Sequence, residues 1–441
     1  MKSVVLGFQH LLAMYAGAIL VPLIVGEAIG LNSTQLTYLV SIDILMCGIA
    51  TILQIMTNRF FGIGLPVVLG CTFTAVGPMI AIGGNYGISA IYGAVIASGI
   101  IIVMISKFFG KLIKFFPPIV TGSVVTIIGI TLIPVALNNM GGGQGAPDFG
   151  SVTNVLLSFG TLLFIILVYR FSNGFLRSIS ILLGLIAGTV AAMLFGVVDF
   201  GAVKEASMFH MVVPFYFGTP TFHLFPIVTM TLVAMVSLVE SSGVYFALGD
   251  ICEKEIGKKD LEKGYRAEGL ASVIGGIFNA FPYTTFSQNV GLMQMSGVKS
   301  RKVIAITAIM LISLGLMPKI AALATVIPTS VLGGAMVAMF GMVVSQGIKM
   351  LSKVIGQSQE NAMIVACSIG LGLGVSVVPD IFSHLPEGIQ ILTSNGIVAG
   401  SLTAIFLNIM FNMIPSRKRK ASVQAPEQET KQTIALTEQE A

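Results

Sequence analysis

Two stretches, LPVVLGCTFTAVGP (residues 65–78) and FPYTTFSQNVG (residues 281–291), decide how this chain folds. Each lies where an apolar segment should cross a membrane, yet each is cut by proline and glycine. Val67, Val68, Thr72, Phe73 and Thr74 in the first, and Thr284, Thr285 and Phe286 in the second, favour short extended strands. Extended backbone at membrane depth survives only where it lines a protected cavity. The two occupy the third and tenth places among about fourteen apolar segments, that is, corresponding places in two halves. Paired, interrupted segments of this kind point to a transporter's binding site. Each half-helix that follows would aim free N–H groups, and its positive dipole end, at the bilayer midplane.

The surrounding chain supplies the membrane context. Its 441 residues are 55% hydrophobic and 10% charged, and its mean hydropathy is +0.94, far from the balance of a soluble domain. Apolar runs fall near 4–25, 38–56, 67–81, 88–106, 118–137, 152–170 and 178–198. A second set falls near 224–248, 266–279, 284–296, 302–316, 326–348, 360–378 and 390–414. The expected fold class is an all-α membrane protein of about 14 transmembrane segments, with short strands in spans 3 and 10. None of the runs reads as a cleaved leader ahead of a soluble domain.

Counted from a cytoplasmic N-terminus, every Lys and Arg except Lys204 and Lys319 falls on the cytoplasmic side. This set includes Lys107, Lys111, Lys114, Arg170, Arg177, Lys299, Arg301 and Lys302. The net charge of +5 belongs to this asymmetry, and nucleic acid is not an expected partner. The mixed-charge loop 250–265 reads as a solvated linker, and 141–145 as an external loop. Arg417 to Lys420 reads as an anchor at the anionic inner leaflet, with a disordered cytoplasmic tail beyond it. Cys47, Cys71, Cys252 and Cys367 show no paired spacing and read as small hydrophobes rather than a disulfide framework or zinc site.

An odd number of spans per half requires related halves to be inverted, a 7+7 inverted repeat. Faint internal similarity agrees. His10 precedes Tyr15 by the spacing that separates Glu240 from Tyr245, and Pro117 and Gly122 are spaced as Pro328 and Gly333.

Gln288 and Asn289 begin the tenth half-helix. A side-chain amide offers a donor and an acceptor in one plane, which matches the edge of a purine or an imide; helix capping and interhelical bonding are the equally open structural reading. Phe73 and Phe286, one on each broken segment, could sandwich a flat ring. Three acids fall within spans: Asp43, Glu240 and Glu268. An unpaired carboxylate in the bilayer costs about 3 kcal/mol or more, so such groups usually face a cavity and act there. Withdrawal from water disfavours a carboxylate's charged form, which suits a proton carrier. Glu240, beside Ser241, Ser242 and Gly243, is read as functional. Glu268 is open between that role and an interfacial ion pair with Arg266, and Asp43 reads as structural. His10, within the first span, could orient Glu240 across the pseudo-symmetry axis or be a satisfied core histidine. No metal-ligand cluster, nucleophile–base pair or cofactor loop suggests an enzyme.

Three strings together resemble the nucleobase-ascorbate transporter family: QHLLAMYAG (Gln9–Gly17), VESSGVYFALGD (Val239–Asp250) and FPYTTFSQNVGLMQMSGVKSR (Phe281–Arg301). The resemblance runs to about Pro415, and the first hundred residues are similar to the family's bacterial xanthine carriers. It implies a core domain of residues 1–110 (spans 1–4) and 224–316 (spans 8–11). It also implies a gate domain of residues 111–200 (spans 5–7) and 317–415 (spans 12–14), an external loop at 201–223 and a tail at 416–441. By the same resemblance, Glu240 and Gln288 bind the substrate, Phe73 stacks on it, Asn289 supports the site, Glu268 is tied to coupling and His10 is the family's first-span histidine. With the residue-level readings of Phe286 and Glu240 added, the expected substrate-binding set is Glu240, Gln288, Phe73, Phe286 and Asn289, and the expected proton-coupling set is Glu268, Glu240 and His10. Uracil members usually carry Glu where this chain has Gln288, so a purine is implied, and Asn289 leans to xanthine. Ser296 stands where Thr is frequent, and Glu268 where Asp is also found. The expectation is a proton-coupled symporter importing xanthine across the cell membrane by alternating access, with both termini cytoplasmic and no cofactor beyond the proton. Uric acid is the nearest alternative, and uracil and anion exchange are more distant ones. The lipid bilayer is the remaining partner, with a homodimer left open.

Overall fold

The computed structural model describes residues 2–112, 115–386, 390 and 395–414; Lys114, Arg417 to Lys420 and the tail at 416–441 lie outside the described residues. The first half opens with α1 (Lys2–Ala28) and α2 (Ser33–Ile55). Their turn is closed by a reciprocal cap, in which Gln35 N–H donates to Asn32 Oδ1 at 2.9 Å and Asn32 N–H to Gln35 Oε1 at 3.1 Å. Then come β1 (Leu69–Cys71), α3 (Val76–Tyr86), α4 (Ile88–Leu112), α5 (Pro118–Met140), α6 (Val152–Phe171) and α7 (Ser180–Leu194). The second half has α8 (Leu224–Cys252), α9 (Lys258–Ile277), β2 (Tyr283–Thr285), α10 (Ser287–Ser296) and α11 (Arg301–Gly315). It closes with α12 (Thr329–Leu351), α13 (Gln359–Val377) and α14 (Gly396–Asn408).

Among the described residues, nine helices are long and apolar enough to cross a membrane. They occupy expected segments 1, 2, 4, 5, 6, 8, 12, 13 and 14. The other five depart from a plain span for legible reasons. The third and tenth are a strand followed by a short helix. The seventh, α7, has 15 residues. The ninth, α9, begins with Lys258, Lys259, Asp260, Glu262 and Lys263. The eleventh, α11, bends by 81° into the helix Pro318–Thr325, where Pro318 cannot continue the α11 ladder.

α1–α4 pack with α8–α11, and α5–α7 with α12–α14. The most extensively packed helix pair, α5 with α12, runs antiparallel, in keeping with inverted halves. Gly122 near the start of α5 faces Leu351 and Gly347 at the end of α12, while Gly333 near the start of α12 faces Asn139 and Met140 at the end of α5. The two strands form one antiparallel ribbon, with Leu69 opposite Thr285, Gly70 opposite Thr284 and Cys71 opposite Tyr283. Flanking bonds extend it, from Phe286 N–H to Val68 C=O at 3.0 Å and from Thr72 N–H to Pro282 C=O at 3.0 Å. Thr51 of α2 adds a hydroxyl to the Leu69 N–H at 3.0 Å. The irregular backbone is thereby satisfied inside the protein, which is the condition for its survival there.

Three local expectations need correction. Thr72, Phe73 and Thr74 are not strand residues: Thr72 caps a turn of 3-10 helix over Phe73–Ala75, its hydroxyl accepting from Thr74 N–H at 3.3 Å, the usual competition of a Thr side chain with extended backbone. Val67 and Val68 precede the strand rather than belong to it. The expected linker 250–265 shrinks to residues 253–257, because Glu253 takes a left-handed φ of 54° that ends α8, and Asp260 accepts from Gly257 N–H at 3.1 Å to start α9.

Three of the described basic residues lie at the face where α1 begins. Lys254, Arg266 and Arg301 donate to the carbonyls of Ile63, Phe60 and Ile55 at 3.1, 3.3 and 3.4 Å. Lys204 and Lys319 lie on two short helices that pack together beside the start of α2, at the opposite face.

Candidate functional site

A cavity of about 350 Å³ opens at the strand ribbon, between the two groups of helices. That volume lies within the range of small-molecule pockets. The ribbon side supplies Thr72, Phe73, Thr74, Thr284, Thr285, Phe286, Ser287 and Gln288, and α8 supplies Glu240. The facing wall is Val125 and Ile128 of α5 with Met339, Met342, Val343 and Gln346 of α12. One wall is therefore polar and the other almost wholly apolar.

Glu240 reaches this cavity without a hydrogen bond or ion pair to any described residue. Gln288 is exposed to the cavity in the first turn of α10, where the helix dipole turns its positive end toward the same space. The structure thus brings together a free carboxylate, a side-chain amide and a helix N-terminus. Such a set can hold a polar planar solute by both its donors and its acceptors. The two aromatics are placed differently. Phe73 is half-buried and meets the edge of Phe340 at 6.3 Å. Phe286 is buried, its ring wedged against Gly17 and Gly70, both positions where a Cβ would collide with it. Phe73 thus borders the cavity from its contact with Phe340, whereas Phe286 is held in place as the floor.

Asn289 and His10 do not reach the cavity wall. The Asn289 amide donates to the His10 carbonyl at 3.0 Å and lies 3.1 Å from His10 Nδ1, with both residues 2% exposed. His10 therefore orients Asn289, not Glu240, because α1 meets α10 at this level. The pair ties the tenth half-helix to the first span.

Glu268 lies behind the ribbon and makes no ion pair with Arg266. Arg266 instead pairs with Glu262 one turn earlier, and it reaches Ser106 Oγ at 3.1 Å. The Glu268 carboxyl, 2% exposed, accepts from Ser241 Oγ at 3.0 Å and from the Tyr245 hydroxyl, which in turn accepts from the Gln54 amide. Ser241 Oγ also lies 3.1 Å from Thr284 Oγ1 and accepts from Thr285 Oγ1 at 3.2 Å. Neighbours on a helix point about 100° apart, so Glu240 faces the large cavity while Ser241 links Glu268 to β2. Glu268 also borders a separate cavity of about 20 Å³ with Thr72, Ser237 and Ser272, room for a single water. Thr74 Oγ1, 2.7 Å from Ser237 Oγ, fastens the other broken segment to α8.

Asp43, fully buried, accepts from Cys71 Sγ, from Phe281 N–H at 3.0 Å and from Tyr283 Oη at 3.4 Å. It staples α2 to both strands. No motif in the sequence marks Gln54, Gln346 or the linking place of Ser241. A polar side chain within an apolar run was the available signal for the two glutamines.

Comparison with known proteins places these features in a family. A family model described as the permease family matches residues 1–381. The chain is 63% identical to a xanthine permease of Bacillus subtilis over 418 residues, covering 95% of each protein. It is 64% identical to a uric acid permease of the same organism over 411 residues, covering 93% of this chain and 96% of that one. It is also 66% identical to a nucleobase transporter of Paenibacillus larvae over 412 residues, covering 93% and 95%. Two solved structures share the fold at low identity. The transmembrane domain of the cyanobacterial bicarbonate transporter BicA has a TM-score of 0.60 at 16% identity, covering 92% of this chain and 98% of that one. Murine Slc26a9, an anion transporter captured inward-facing, has a TM-score of 0.61 at 12% identity, covering 92% and 68%. The relatives are permeases and not enzymes, and the chain belongs to the permease family to which its three motifs pointed, the nucleobase-ascorbate transporters.

Proposed function

We propose that this protein imports xanthine together with protons across the cytoplasmic membrane by alternating access. The observation that carries the proposal is the unpaired Glu240 carboxylate facing the same cavity as the Gln288 amide, at the junction of two half-helices. Glu240 would accept from ring N–H groups of an oxidised purine, and Gln288 would read an adjacent N–H and C=O edge. Phe73 would cover the ring over a floor formed by Phe286. Glu268, joined through Ser241 to β2, is the proposed coupling acid. Residues 1–110 and 224–316 act as the core that carries the site, and residues 111–200 and 317–415 as the gate. Core and gate would move against each other so that the cavity opens first to one side and then to the other. The basic face at the start of α1 is assigned to the cytoplasm.

Radiolabelled xanthine uptake in a transport-null bacterium, with and without a protonophore, tests this reading. Accumulation that the protonophore abolishes is expected, and its absence would sink the proposal. Uric acid is the second reading, favoured by the 64% identity to a uric acid permease. Competition of labelled xanthine by urate and by uracil separates the alternatives.

A further inference from the structure

We propose that Gln346, on α12, is a specificity-determining residue that reads the outward edge of the bound purine when the gate closes. The inference rests on the proposed function above and extends it to the wall that moves. Six side chains of α5 and α12 line the cavity, and five of them are Val125, Ile128, Met339, Met342 and Val343. Gln346 is the sixth, and it alone on that wall carries both a donor and an acceptor. Its amide is exposed in the open cavity and makes no hydrogen bond to any described residue.

An oxidised purine has polar groups around its whole rim, so a ring held by Glu240 and Gln288 still presents donors and acceptors away from the core. An apolar wall closing on that edge would strip its water and leave those groups unpaired, which is the costly state of a buried polar atom. One amide on the closing wall removes the penalty for a solute whose far edge matches it, and not for one whose edge lacks the group. Selectivity then arises in the closing step, from a contact absent while the cavity is open. A contact made only on closure changes the rate of translocation more than the strength of initial binding, because only differential stabilisation of the closed state shifts that equilibrium.

The test compares Gln346→Leu and the near-isosteric Gln346→Met with the parent protein in two measurements. Saturation uptake of labelled xanthine is measured in a transport-null bacterium, and xanthine binding is measured calorimetrically on purified full-length protein in detergent. The expected result is a fall in maximal uptake of about tenfold, the worth of about one net hydrogen bond. Binding affinity should stay within about threefold, and xanthine's advantage over hypoxanthine, which lacks one exocyclic oxygen, should shrink. Unchanged uptake and unchanged selectivity in a variant that binds like the parent would overturn the role. So would loss of binding and uptake together in a variant that melts like the parent, because Gln346 would then belong to the open site. If the parent itself neither binds nor accumulates xanthine, the proposed function fails first and this inference falls with it.

Discussion

Replacing Tyr245 with phenylalanine should weaken the protein without disturbing its shape, and the size of the effect follows from what its hydroxyl holds. The ring is fully buried, and phenylalanine fills the same space, so no cavity forms. The hydroxyl, however, accepts from the Gln54 amide and donates to the Glu268 carboxyl. After its removal Glu268 keeps only Ser241 Oγ at 3.0 Å, and Gln54 keeps only the Gly264 carbonyl at 3.3 Å. Gln54 Oε1 already lacks a partner, so that side chain has no spare bond to fall back on. One bond to an acidic group and one neutral bond disappear, together worth about 2–4 kcal/mol. Urea or thermal unfolding of the purified protein in detergent measures the loss. Adding Ser241→Ala tests coupling through the shared carboxyl, and the two changes should be non-additive by about 0.5 kcal/mol or more. If Tyr245→Phe unfolds within about 0.5 kcal/mol of the parent and accumulates substrate at the parental rate, the hydroxyl is not holding Glu268.

Glu240→Gln should abolish the proposed xanthine accumulation while leaving the melting temperature unchanged, since the carboxylate has no hydrogen-bond or ion-pair partner among the described residues; a parallel fall in stability would show that Glu240 is structural. Gly70→Ala should drive a methyl group into the Phe286 ring, at a cost of about 1–3 kcal/mol. Unfolding should show that cost and uptake a weakened affinity, whereas a variant that behaves as the parent in both would mean the ring is free to move away.

Much of this architecture lies in local patterns that a sequence displays openly. Runs of apolar residues mark the spans, and Lys and Arg gather on one face. Pro66, Gly70 and Pro282 interrupt the third and tenth segments where the structure has its strand ribbon. Glu240 stood out because a carboxylate within an apolar run is costly wherever it lies. The choice of partner was another matter. His10 joins Asn289 rather than Glu240, Glu268 takes Tyr245 and Ser241 rather than Arg266, and Thr72 caps a helical turn instead of extending a strand. Gln54 and Gln346 belong to no motif that marks them. In a bilayer the lipid-facing and protein-facing sides of a helix are both apolar, so periodicity says little about which side meets which neighbour. That the chain crosses a membrane, and where its two halves break, is written in runs of neighbouring residues. Which side chains meet at those breaks was decided only by tertiary packing, because each pairing joins residues from distant spans whose relative rotation no local pattern records.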